Sequence, residues 1–313
     1  MTDIPTESPT AEKKLGKVRT FAELVKFEHS IFALPYAYLG AVYGAMVVHQ
    51  SGWQTVWITA GGWPTLAVVG WVTVAMVGAR SFAFVANRAV DKEIDARNPR
   101  TASRPVPAGT IKRWELWAFA IIVLAAYLFA AGQLAFPCLY LSPIPLVFFV
   151  AYPYLKRFTW FCHFWLGICL GLGVTGGWAA VGAPLSDPAP WVLGAAVAIW
   201  TAGFDIIYAT QDYDCDVRDH IHSVPADFGI AKGLLITRWC HAATVVLFAL
   251  GGYLVGAGWP YYVGVAIAAA LLFYENAIIS PEDMSRVNAA FFNVNGFVAV
   301  VVLAGAIADR LVG

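Results

Sequence analysis

Asn87, Asp91 and Asp95 recur at intervals of four residues, and Asp212 and Asp216 repeat that interval later in the chain. Asp91 to Asp212 and Asp95 to Asp216 are each 121 residues apart. Residues four apart lie on one face of an α-helix, one turn above another. Each cluster is therefore a stripe of carboxylates at the end of an apolar run. Hard divalent cations such as Mg²⁺ take oxygen ligands, bind one or two carboxylates and complete their shell with water and phosphate oxygens. The duplicated stripe predicts a shared Mg²⁺ site that holds a diphosphate and neutralises the charge growing on it as it leaves. Basic residues border both stripes. Arg100 and Arg104 follow the first, and Lys156-Arg157 lies between the two. Arg104, Lys156 and Arg157 are expected to hold phosphate oxygens, the arginines through bidentate contacts. Lys13, Lys14, Lys112 and Arg113 are read as topology signals.

Two charges lie deeper. Arg80 is seven residues before Asn87, and Asp205 is seven residues before Asp212, two turns down the same helix faces. A charge inside an apolar helix is costly and must face the protein interior or a wet cavity. Arg80 and Asp205 are therefore expected to pair with each other or to line the floor of one cavity.

The elements that must carry these residues are membrane helices. The 313-residue chain is 59% hydrophobic and 13% charged, against roughly a quarter charged in soluble domains. Apolar stretches of about 20 residues mark transmembrane helices. Nine are expected, at 31–49, 56–86, 114–131, 134–152, 161–182, 191–211, 235–256, 258–275 and 287–308. Lys and Arg populate the N-terminal tail, the 87–113 loop and the later loops on that side. The loops near 50–55, 132, 183–190 and 257 hold none. The positive-inside bias puts the N-terminus and both acidic stripes in the cytoplasm and the C-terminus outside, in the cell (inner) membrane. Residues 1–20 are polar and are expected to form a disordered tail. Residues 21–313 form one domain of two related parts, about 31–150 and 160–275, plus a last helix. The five cysteines show no paired spacing and read as buried thiols. The formal net charge of zero hides this asymmetry and says little by itself; no nucleic-acid partner is expected.

The motifs around the stripes resemble those of the UbiA superfamily of intramembrane aromatic prenyltransferases, over nearly the whole chain. That family's Asn-Asp-x-x-Asp-x-x-x-Asp is matched by Asn87, Asp91 and Asp95, with Arg88 at its second position. Its loop is matched by Arg100-Thr101-Ala102-Ser103-Arg104-Pro105-Val106-Pro107-Ala108-Gly109, and its Tyr-Pro-x-x-Lys-Arg stretch by Tyr152 to Arg157. Asp205, Tyr208, Asp212 and Asp216 fit the second motif, and Phe291, Asn293 and Asn295 a segment of the last helix. The resemblance implies nine transmembrane helices around a central cavity, with two Mg²⁺ ions holding a polyprenyl diphosphate. It also implies transfer of an allylic carbon to an aromatic ring. On this reading Asp91, Asp95, Asp212 and Asp216 hold the metals with Asn87 in support. Aromatic faces, with Phe32, Tyr36, Tyr208 and Tyr213 as candidates, shield the allylic cation.

Lys26 to Pro35 at the first helix resembles UbiA-like enzymes of the futalosine route to menaquinone. The acceptor is accordingly read as an aromatic carboxylate, 4-hydroxybenzoate or a dihydroxynaphthoate, in ubiquinone or menaquinone biosynthesis. Its carboxylate is expected to meet His29 or Arg80, and its proton to leave to Asp205 or to released diphosphate. His222 is a further basic candidate. The alternatives are another acceptor, such as haem, a chlorophyllide or a glycerol lipid, and a cation-coupled transporter. The transporter is disfavoured because the carboxylates sit at helix ends rather than at midplane.

Overall fold

A computed structural model describes residues 9–25, 30–289 and 293–313. The helices in chain order are α1 (Pro9–Leu24), α2 (Ser30–Gln50), α3 (Leu66–Val90), α4 (Lys92–Arg97), α5 (Arg113–Gln133), α6 (Pro137–Leu141), α7 (Pro143–Leu155) and α8 (Cys162–Ala180). They continue with α9 (Ala189–Ala209), α10 (Tyr213–Arg218), α11 (Val224–Phe228), α12 (Ile230–Leu254), α13 (Trp259–Ala277), α14 (Val287–Ala289) and α15 (Asn295–Val312). Among the described residues, extended structure is limited to two isolated bridges, Ile58 with Pro64 and Ser280 with Asp283.

Seven stretches of the described residues are long and apolar enough to cross a membrane: Leu66–Val90, Arg113–Gln133, Pro137–Leu155, Cys162–Ala180, Ala189–Arg218, Ile230–Leu254 and Asn295–Val312. The protein is an integral membrane protein of all-α architecture. Nine spans were expected. The expected spans at 31–49 and 258–275 coincide with α2 and α13, of 21 and 19 residues, which pack in the bundle against α8 and α15 but are not among the seven. Large apolar side chains such as Trp117, Phe129, Trp239, Phe273 and Phe297 remain exposed on the outer surface. So many exposed large apolar side chains suit lipid rather than water.

Helix boundaries differ from the sequence reading in three places. The expected 56–86 span begins only at Leu66, where the Thr65 side chain accepts the Val68 N–H and caps α3. Residues before it form a turn-rich loop whose tryptophans raise its apolarity without making it helical. The 134–152 span is broken at Ser142-Pro143 into α6 and α7, because proline cannot donate its backbone nitrogen. The tail expected to be disordered to residue 20 is helical from Pro9. This helix docks by pairing Lys17 with Glu115 and packing Phe21 on Phe119 at a centroid distance of 4.8 Å, contacts that outweigh its polar composition.

The core is built on α2, α8, α9, α12 and α15. Trp178, Trp200, Tyr36, Tyr43 and Phe248 are fully buried there. Tyr36 stacks on Phe248 and meets Trp200 edge-on, so this tyrosine is core and not part of the site. A buried polar chain runs from Trp200 Nε1 to Asn295 Oδ1 (2.8 Å), and from Asn295 Nδ2 to Glu275 Oε1 (2.8 Å). It ties α9, α13 and α15 together. The α3–α5 and α9–α12 pairs pack closely, and residues at the ends of α3 and α9 line one cavity.

Candidate active site

Both acidic stripes survive in the folded chain because helical bonding continues across the breaks after α3. Asp91 caps α3 with φ −90° and ψ 4°. Its N–H donates to Asn87 O (2.9 Å), and Asp95 N–H donates to Asp91 O (2.8 Å). Asp91 and Asp95 are 1% and 6% exposed. In the second stripe, α9 passes through a 3₁₀ turn at Thr210–Asp212 into α10, which carries Asp216.

All of these residues line a cavity of about 850 Å³. Its wall elsewhere is apolar, with Val72, Met76, Phe148, Leu166 and Gly173 among its members. The polar end is a matched set of charges. Lys156 Nζ donates to Asp91 Oδ2 at 2.5 Å. Arg104 Nη1 donates to Asp95 Oδ1 at 2.9 Å, and Arg88 Nη1 to Asp95 Oδ2 at 3.3 Å. Arg100 forks onto Asp212, with Nε 2.9 Å from Oδ1 and Nη2 on Oδ2. Its Nη1 donates to Tyr208 OH at 2.9 Å. Asn98 Nδ2 also reaches Asp212 (2.6 Å), and Ser223 Oγ donates to Asp216 Oδ2 (3.2 Å). Burial pushes the Asp91 carboxyl pKa up, and Lys156 opposes that shift.

The structure brings together Asn87, Arg80, Asp91, Asp95, Arg104, Lys156, Asp205, Tyr208, Asp212 and Asp216. Arg157 is not part of the lining. It donates to Val90 O (2.9 Å) and stays 4.0 Å from Asp91, because its side chain runs outward over the end of α3. His222 lines the cavity but meets Asp227 (3.0 Å). His29 lies outside the described residues. Arg80 and Asp205 line the same cavity, as expected. Asp205, however, is hydrogen-bonded to His163 Nδ1 at 2.7 Å, and Arg80 lies over the Phe84 ring.

Arg88, the departure in the first motif, is buried against Asp95 rather than projecting as a ligand. Breaking a buried ion pair strands its partner, although here Arg104 remains on Asp95. Arg88→Ala is expected to destabilise the protein by about 1–3 kcal/mol. The check is a lower thermal unfolding midpoint in detergent than that of the parent chain. The sequence reading passed over Asn98, Arg100 and His163 as site residues. Arg100 was visible inside its motif, but nothing near it signalled a bond to a residue 112 positions away.

The chain and its fold resemble known proteins. The chain matches the UbiA prenyltransferase family over residues 30–297. The chain belongs to that family. As a UbiA prenyltransferase it is an enzyme, and among curated relatives it is 32% identical to the 4-hydroxybenzoate octaprenyltransferase of Cupriavidus pinatubonensis, covering 81% of this chain and 89% of that one. It is 34% identical to the enzyme of the same name in Xanthomonas euvesicatoria, over 85% and 89% of the two chains. The fold of a UbiA homologue from Aeropyrum pernix K1, solved in its apo form, superposes with a TM-score of 0.78 at 34% identity, over 90% of this chain and 98% of that one. A UbiA homologue from Archaeoglobus fulgidus, solved with GPP and Mg²⁺, shares the fold at a TM-score of 0.68 and 18% identity, over 93% and 99%.

Proposed function

We propose that this chain transfers a polyprenyl group from polyprenyl diphosphate to an aromatic carboxylate, 4-hydroxybenzoate or a dihydroxynaphthoate, for ubiquinone or menaquinone synthesis. The observation that carries the reading is the meeting of two acidic stripes and their bases at one end of an otherwise apolar cavity. A charged diphosphate suits the polar end and an isoprenoid chain the apolar remainder. Relatives named as 4-hydroxybenzoate octaprenyltransferases support the acceptor class. The likeness of residues 26–35 to futalosine-route enzymes keeps the dihydroxynaphthoate as the second acceptor. Nine spans, with the active-site end and N-terminus cytoplasmic and the C-terminus outside, would put this chemistry at the inner face of the cell's inner membrane, where the charge asymmetry of the loops directs it.

The residues fit Mg²⁺. All the donors are oxygens, the set a hard cation prefers, and Asp91 Oδ1 is buried with no hydrogen-bond partner. Among the described residues, no three His, Cys, Asp or Glu side chains converge into a closed cage. That suits an ion which keeps waters and phosphate oxygens in its shell. Asp91, Asp95, Asp212 and Asp216, with Asn87, would hold it, and it supplies positive charge to balance the departing diphosphate. Arg100, Arg104 and Lys156, each now on a carboxylate, have the donors to take phosphate oxygens, with Arg157 at the rim. Tyr208 lines the same end of the cavity, with Arg100 on its hydroxyl and over its ring. The apolar wall around the rest of the cavity would limit the water that reaches the allylic cation. Arg80 or His29 would meet the acceptor's carboxylate.

The test is the purified full chain with Mg²⁺, labelled polyprenyl diphosphate and each acceptor in turn. Prenylated product is expected with at least one acceptor, and a chelator is expected to remove it. Product that survives chelation would overturn the metal's role. Failure of both acceptors would overturn the acceptor class.

A further inference from the structure

The cavity holds one buried pair that the metal and diphosphate do not account for. His163 opens the first turn of α8 and is 3% exposed. Its Nδ1 lies 2.7 Å from Asp205 Oδ2. Its Nε2 lies 3.1 Å from the backbone nitrogen of Val224, the first residue of α11. A backbone N–H can only donate, so Nε2 accepts and carries no proton. The ring proton is therefore on Nδ1 and points at Asp205. This assignment makes His163 a neutral donor. It fixes the Asp205 carboxylate without cancelling its charge. Asp205 retains 18% exposure of its side chain within the cavity lining, which leaves it a face for a ligand. Ser223, which caps α11, donates to Asp216, and Val224 in its first turn donates to His163, so the start of α11 joins Asp216 to the imidazole.

We infer that His163 is a positioning residue that orients Asp205 to take the proton of the acceptor's ring hydroxyl. The inference rests on the prenyl-transfer reading above. A cavity lined by both Arg80 and Asp205 suits an acceptor that carries a carboxylate and a hydroxyl on one ring. In the step, the hydroxyl proton passes to Asp205 as the oxygen lone pair pushes into the ring. The ring carbon beside the hydroxyl-bearing carbon forms the new C–C bond with the prenyl carbon. The C–O bond to diphosphate breaks, and its electron pair leaves on the diphosphate. The hydrogen on the attacked ring carbon then departs as a proton to the released diphosphate and aromaticity returns. Asp205 gives its proton back to the oxygen. The net exchange is a ring C–H and a prenyl C–O for a ring C–C and protonated diphosphate.

The experiment compares the full chain with His163→Ala and His163→Asn, using Mg²⁺, polyprenyl diphosphate and whichever acceptor the parent chain prenylates. His163→Ala is expected to lower kcat by roughly 10- to 100-fold, part of the roughly 10²- to 10⁴-fold that a positioned base supplies. KM for polyprenyl diphosphate is expected to stay within about 3-fold, because uniform binding of that substrate is untouched. His163→Asn, which keeps an N–H near the Nδ1 position, is expected to recover most of the lost kcat. An unchanged kcat in His163→Ala would overturn the inference. So would a rise in the diphosphate KM that accounts for the loss, or a defect that Asn does not relieve. A parent chain that prenylates neither acceptor would instead remove the aromatic-carboxylate acceptor, and this inference with it.

Discussion

Replacing Asp91 or Asp212 with alanine is expected to reduce prenyl transfer by at least about 1,000-fold, a loss of about 4 kcal/mol of transition-state stabilisation. The two residues stand at corresponding places in the two stripes, and each would contribute oxygen to the cation that balances the departing diphosphate. Each substitution also removes a partner from a base. Without Asp91, Lys156 loses a contact of 2.5 Å. Without Asp212, the Arg100 fork and the Asn98 amide both lose their acceptor. An amide replacement separates these effects. Asp91→Asn keeps the side-chain volume and removes the negative charge, so it should lose activity while still folding. Asp214, in the same segment as Asp212 and Asp216, is exposed and lies off the stripe. Asp214→Ala is expected to stay within about 3-fold of the parent chain, as a surface change with no buried partner should. Product formation measured beside thermal unfolding for each variant checks the set. Equal losses for Asp91→Ala and Asp214→Ala, or full activity in Asp91→Asn, would mean that the stripe is not the reactive centre.

That contrast follows from what a sequence can show. Spacing of four along one helix is local, so Asn87, Asp91 and Asp95 were legible as a unit, as were Asp212 and Asp216. Membrane spans were legible because about 20 apolar residues are needed to cross a bilayer. What was not legible depends on contacts between distant residues. The Arg100 fork onto Asp212 crosses 112 residues and the His163 bond to Asp205 crosses 42, and neither leaves a periodic trace. Matching Arg80 to Asp205 by depth was sound as far as the shared cavity, but it could not register an imidazole entering from the start of α8. The Leu66 boundary was missed for a different reason. The loop before it carries Trp53, Trp57 and Trp63, which read as apolar yet sit in turns where Gly52 and Gly62 take positive φ.

The cavity wall depends on how closely two helices approach, which gives the second large effect. A methyl group at Gly177 would lie 1.9 Å from Ala37 O, and one at Gly40 would lie 2.0 Å from Val174 O. The α2 and α8 backbones therefore touch through their glycines, the means by which helices pack tightly where lipid offers no hydrophobic drive. Neither obstacle is a flexible side chain, so the helices must part to admit even one carbon. Gly177→Ala is expected to destabilise the protein by about 3 kcal/mol or more, at the upper end for overpacking, and Gly177→Val to prevent accumulation of folded protein. The neighbouring residue supplies the control. Both glycines border the cavity, but a methyl group at Gly176 would meet nothing within 4 Å, whereas one at Gly177 would run into α2. Gly176→Ala should leave stability unchanged or raise it by up to about 1 kcal/mol, the helix-propensity gain over glycine. Unfolding midpoints measured in one detergent decide between these positions. If Gly176→Ala and Gly177→Ala fall together, the loss comes from the cavity face and not from the α2–α8 crossing. If only Gly177→Ala falls, the α2–α8 crossing itself holds this part of the cavity wall.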